Sequence, residues 1–115
     1  MSLDNRTIAM YGWKVEGRDN VDKLQKDLED WKEDYWNDIE NFIIEDTMSG
    51  KYIYFGLELV YYNAYEGGSE VITKKLIHDK FKYWNAYMKG NPALNEIFNK
   101  YKNGEPQLYI FNHIW

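Results

Sequence analysis

The chain contains no cysteine. That excludes a disulfide framework, a thiolate metal site and a cysteine nucleophile, and it leaves packing as the source of stability. Histidine is nearly absent too: His78 and His113 stand on separate stretches, and neither has the HExxH, HxE or paired-His spacing of a metal site. Ser2, Ser49 and Ser69 lack the glycine context of a nucleophile elbow, and Gly67-Gly68 is followed by Ser69-Glu70, not by the lysine of a phosphate-binding loop. Glu45-Asp46 is a carboxylate pair, but Thr47-Met48-Ser49-Gly50 does not continue it as a calcium loop. No cofactor or metal is expected. No run of about 18 apolar residues is present to span a bilayer, and MSLDNRTIAM lacks the regions of a secretory signal, so the cytoplasm is the expected compartment.

Basic residues are also in short supply. Fourteen Lys and Arg stand against 19 Asp and Glu, a net charge of −5, which argues against holding a nucleic-acid backbone by general electrostatics. The charge is two-ended: residues 1 to 68 carry 15 acidic and 7 basic groups (−8), and residues 69 to 115 carry 4 and 7 (+3).

What the chain has in abundance is apolar surface. It is 44% hydrophobic and 18% aromatic, with eleven Tyr and five Trp, far too much to stay disordered. At 115 residues it fits one domain, spanning 1–115, with one core.

Thr7 to Val15 is rich in β-branched and aromatic residues and predicts a first strand, ended by Gly17-Arg18-Asp19-Asn20. Val21, Leu24, Leu28, Trp31, Tyr35, Ile39 and Phe42 recur every three or four residues, which predicts one helix over about 20–40, capped by Asp19 or Asn20. Phe42 to Asp46 and Lys51 to Tyr62 read as a hairpin about Met48-Ser49-Gly50. Residues 63 to 69 read as a loop, with a short extended Val71-Ile72 after it. A helix over about 73–89 buries Ile77, Phe81, Trp84 and Met88 and stops at Gly90 in a left-handed cap. Asn91-Pro92 starts a third helix with Leu94, Ile97, Phe98 and Tyr101 inward, Gly104 ends it, and QLYIFNHIW is the last strand. The expected fold class is α+β, with a mostly antiparallel sheet of about four strands and helices on one face, in the order β-α-β-β-α-α-β.

That fold leaves a second sheet face to explain. Alternation puts Ile53, Phe55, Leu57 and Leu59 on one side and Tyr52, Tyr54, Glu58 and Tyr62 on the other. In the last strand it puts Leu108, Ile110 and Ile114 with the core and Tyr109, Phe111, His113 and Trp115 opposite. A face rich in Tyr and Trp is either the cover of a solvated sheet or a partner surface, and it would equally close a symmetric dimer. On the first helix Asp22, Glu29, Asp30, Glu33 and Glu40 form an acidic stripe opposite the buried line, with Trp36 beside it. Glu29 and Glu33, like charges four apart, cost the helix about 0.2–0.5 kcal/mol, so helix stability does not explain the stripe. Lys75, Lys82 and Lys89 make a thinner basic stripe on the second helix.

KYIYFG (51–56) and LYIFN (108–112) resemble the two aromatic strand motifs of RNA-recognition domains, which stack on unpaired bases. The motif order is reversed here and the basic surroundings are missing, so no residue role carries over. More broadly, a short chain rich in Lys, Asn, Ile and Tyr, with strands such as KYIYFGLEL and PQLYIFNHIW, resembles the small accessory proteins of phages and prophages of low-GC Gram-positive bacteria. The resemblance implies a phage-encoded accessory protein and no particular site. The expected function is non-enzymatic protein–protein interaction, with a host or phage protein as partner. Its expected contacts are the sheet-face residues Tyr52, Tyr54, Tyr62, Tyr109 and Phe111 and the helix residues Trp36, Glu29, Asp30, Glu33 and Glu40. The alternatives are an acidic nucleic-acid mimic, a small carboxylate enzyme using groups such as Asp46 and Glu58, and a binder of single-stranded nucleic acid.

Overall fold

In a computed structural model of the protein, the residues described are 5–46, 50–63 and 72–114. They form β1 (Asn5–Glu16), α1 (Arg18–Trp31), α2 (Tyr35–Ile39), β2 (Ile43–Glu45), β3 (Tyr52–Asn63), α3 (Lys74–Gly90), α4 (Pro92–Tyr101) and β4 (Gln107–Ile114). The class is α+β: one antiparallel sheet in the order β2-β3-β1-β4. No helix among these residues is long and apolar enough to cross a membrane.

The helices cover one sheet face. Val15, Trp13 and Ala9 of β1 and Ile53, Phe55, Leu57 and Leu59 of β3 pack against Val21, Leu24 and Leu28 of α1, Trp84 and Met88 of α3, and Leu94 and Phe98 of α4. Phe55 anchors this core, stacked on Phe98 at 4.8 Å and on Trp13 at 5.5 Å. Fully burying one such side chain is worth about 1.5–3 kcal/mol, so these rings dominate the layer's stability.

Several boundaries differ from the sequence reading. The expected helix over 20–40 is broken: Lys32 is extended (φ −159°) and its N–H closes α1 on Leu28 O, after which α2 restarts at Tyr35. Carboxylates crowd the end of α1 and no basic residue occupies its last turn, so continuing the helix meets an unfavourable dipole. The break still buries Tyr35 and Ile39. Gly17, at φ 92°, holds the N-cap position in place of Asp19 or Asn20, and the Asn20 side chain donates to Glu16 O instead. Gly90 is an ordinary helical residue, not a left-handed cap; Asn91 closes α3 and its side-chain amide donates to Tyr87 O. The Asn91 side chain therefore does not cap α4. Thr73 does cap α3, its hydroxyl accepting from Leu76 N at 3.1 Å. Val71 and the loop 64–71 lie outside the described residues.

Candidate functional site

The second sheet face carries its own small core. Ile8 and Met10 of β1 are fully buried there, together with Ile44 of β2 and Tyr54 of β3, and Tyr52, Tyr109 and Phe111 pack against them. The antiparallel register explains the grouping, because Ile8 pairs with Phe111 and Met10 with Tyr109. Tyr54 lies at the centre: its ring stacks on Phe111 at 4.0 Å and 10° and meets Tyr109 at 5.1 Å and Tyr52 at 5.3 Å edge-on. Only 7% of Tyr54 is exposed. The Lys14 ammonium caps the group, 5.4 Å from the Tyr54 centroid, and its ion pair with Glu16 holds its pKa above the ordinary lysine value. Burial also raises the Tyr52 phenol.

Tyr62 belongs to β3, but the period-two count does not reach it. The β1–β3 register shifts between Ala9 and Met10, which pair with Val60 and Glu58, so Leu59 is an extra residue in β3. Beyond that bulge the alternation restarts, and Tyr62 pairs with Thr7. The side chains of Tyr62 and His113 lie outside the described residues.

On the outer strand the alternation holds and the burial does not follow it. Leu108 and Ile110, read as core, are 47% and 66% exposed. They lie on the helix side of the sheet but at its edge, while the helices pack mainly on its inner strands and on one another: α3 on β3, and α1 on α4, β1 and β3. The β4 strand ends the sheet, so one of its edges meets no strand among the described residues. Its eight residues, QLYIFNHI, include no Asp, Glu, Lys or Arg, in a chain that is 29% charged. Natural edge strands are ordinarily blunted by charge, proline or cover, and this one has an aliphatic strip instead. Sequence reasoning missed these two residues because alternation reports the face of a strand, not whether a helix overlies it.

The acidic residues fall on α1, on the break after it and on the C-cap of α2. Glu29 and Asp30 belong to α1, Glu33 to the break and Glu40 to the residue after α2; all four are exposed, and Trp36 is 36% exposed. The carboxylates proposed for catalysis are not brought together. Asp46 is buried and closes the β2–β3 turn, its Oδ2 accepting from Lys51 N and its backbone bonding Tyr52 O and Gly50 N. Glu58 stands opposite Met10 on β3, about 20 Å of strand away from Tyr52. Glu45, beside Asp46, accepts from the Tyr35 hydroxyl at 2.6 Å, and burial raises its pKa. His78 is exposed on α3, and no cluster of metal-ligating side chains occurs among the described residues. The chain matches no family model, no curated protein and no solved structure.

Proposed function

We propose that this chain is a non-enzymatic interaction protein whose working surface is the outer edge of β4, and that the edge is occupied by a second copy of the chain. The observation that carries this reading is the exposure of Leu108 and Ile110 on an uncharged, open strand. A strand that pairs antiparallel with its own copy about a two-fold axis satisfies both backbone edges, and it sets the two aliphatic strips side by side. Self-pairing also suits the charge. Two molecules of net −5 repel broadly, and β4 is a stretch where they meet without like charges in contact. The aromatic rings of the second face then serve mainly as a second core beneath the joined sheet, consistent with the burial of Tyr54. The composition fits a cytoplasmic accessory protein of phage or prophage origin.

The test is the molar mass in solution. At high micromolar concentration, light scattering should give twice 13.9 kDa for the natural chain. Ile110→Lys should give a monomer with an unchanged circular dichroism spectrum. A natural chain that stays monomeric overturns the second-copy reading, and the edge would then need an extended segment of another protein.

The exposed Glu29, Asp30, Glu33 and Glu40 with Trp36 favour a second reading, an acidic surface that binds a basic protein in place of nucleic acid. None of these four carboxylates pairs with a cation among the described residues. A partner held this way dissociates as salt rises. Binding indifferent to salt removes this reading.

A further inference from the structure

The first residue of β4 lies opposite the middle of β1. Gln107 pairs with Gly12, whereas β1 continues to Glu16, which pairs with Tyr52 on its other side. Trp13 to Glu16 therefore have β3 on one side and, among the described residues, no strand on the other. The segment leaving α4 passes this gap and is tied to it, since the Trp13 indole N–H donates to Gly104 O at 2.9 Å. What remains is an open cleft of about 610 Å³, within the size range of small-molecule sites.

The lining is basic in an acidic protein. Lys14, Lys100 and Lys102 line the cleft, Lys14 from the second face of the sheet and Lys102 from the helix side, and Glu16 is the one acidic residue lining it among the described residues. Two of the three lysines have carboxylate partners, Lys14 with Glu16 and Lys100 with Asp27. Lys102 has none among the described residues. Its ammonium lies 4.6 Å from the Trp13 ring centroid and 6.0 Å from that of Trp84, and burial pulls its pKa below the ordinary lysine value. A partly desolvated ammonium over aromatic faces is attracted to the rings but lacks the counter-ion its burial calls for. The Asn103 side chain and the Tyr109 hydroxyl, whose contact to Gln107 is long at 3.4 Å, add hydrogen-bonding groups to the same lining.

We propose that this cleft is a binding site for a small ligand bearing a phosphate monoester, with Lys102 as the counter-charge. With Lys14 and Lys100 paired to carboxylates, Lys102 is the lysine of the lining left to meet an anion, and lysine serves as a point-charge phosphate binder. This inference is independent of the β4 edge: the ligand would enter at the end of the sheet, where β4 has not yet begun.

Inorganic phosphate is the first probe. Titrated at constant ionic strength, it should shift the Trp13 indole N–H and the Asn103 amide NMR resonances along a saturating curve. Lys102→Met keeps the apolar stem over Trp13 and should weaken that curve about tenfold, as loss of one charge-assisted contact implies. Lys23→Met, on the exposed side of α1, should leave it unchanged. Labelling of the natural chain tests the same site without a variant. Pyridoxal 5′-phosphate followed by borohydride should modify a lysine of the cleft, Lys14, Lys100 or Lys102, ahead of the other lysines, and phosphate should protect it. A linear, unsaturated response, equal curves for the natural chain and Lys102→Met, or labelling spread evenly over the lysines would each overturn the proposal.

Discussion

Gly12 of β1 and Gly56 of β3 stand directly opposite each other in the sheet and leave no space for a side chain between them. A Cβ on Gly12 would lie 2.8 Å from Gly56 Cα, and a Cβ on Gly56 would lie 2.7 Å from Gly12 Cα. Gly56 also has φ 142°, a conformation that L side chains rarely adopt, and its N–H turns to Phe42 O. The contacts are backbone to backbone, so no flexible side chain can yield. Gly12→Ala should therefore destabilise the fold by at least about 2 kcal/mol, lowering the thermal midpoint by about 8 °C or more. Gly90→Ala is the control: the site is open, its φ is not positive and it lies in α3, so a gain of about 0.5–1 kcal/mol is expected.

Ile8 and Ile110 are both isoleucines in the outer half of the sheet, and their exposures are 0% and 66%. Ile8→Ala removes three methyl-sized groups from a closed cluster and should cost about 2–4 kcal/mol. Ile110→Thr at low protein concentration should change stability by less than about 0.5 kcal/mol, as at an ordinary surface position. Denaturant titration of both variants decides whether the second face is a core. Equal costs would mean that the two sites are packed alike.

The contrast between those two isoleucines also marks how much the sequence discloses. Hydrophobic periodicity located every helix core position from Val21 to Phe98 and the inward set of β3, because burial against a layer imposes that period. It did not separate Ile8, buried on the face without helices, from Ile110, exposed on the face with them, since both facts depend on where the layers end. The bulge at Leu59 is equally silent: VYY continues as an apolar run while the pairing slips by one. The cleft follows from Gln107 meeting Gly12 and not Glu16, a matter of register between strands some 90 residues apart. Local composition around Lys102 contains no trace of it.

Glu45 is half-buried against Tyr35, and its pKa is raised, by burial first and by the nearby Glu29 charge, against the hydrogen bonds from Tyr35 and Gln25 that lower it. A carboxyl with a raised folded pKa opposes folding above that pKa, and the penalty is relieved as pH falls through it toward the ordinary glutamate value. Glu45→Gln keeps an oxygen to accept from the Tyr35 hydroxyl and drops the charge. It should stabilise the protein at pH 7 by up to about 1 kcal/mol, with the gain vanishing in acid. Glu45→Ala strands the Tyr35 hydroxyl and should destabilise at both pH values. Thermal melts of the three proteins at neutral and acidic pH check the pattern.

Asp27 on α1 is the hinge of the α1–α4 contact, accepting from Lys100 Nζ at 2.8 Å and from the Tyr101 hydroxyl at 2.6 Å. The Lys100 bond first, and the Tyr101 bond after it, hold the Asp27 carboxyl below its ordinary pKa. A depressed folded pKa contributes stability above the unfolded value, and that contribution is lost as pH falls through the folded one. Tyr101 works at the other limit. Burial and the bond to Asp27 push its phenol up to about 12, so the folded state keeps a proton that the unfolded chain releases near pH 10. Its contribution is full below that pH and declines between about 10 and 12. The natural chain should lose stability at both extremes. Asp27→Asn should flatten the acid limb at a cost near neutrality of about 0.5–1 kcal/mol, the scale of an exposed pair reinforced by one hydrogen bond. Tyr101→Phe should flatten the alkaline limb. Midpoints measured across both pH ranges test the assignment, and an acid limb unchanged in Asp27→Asn would assign the acid sensitivity to another carboxylate.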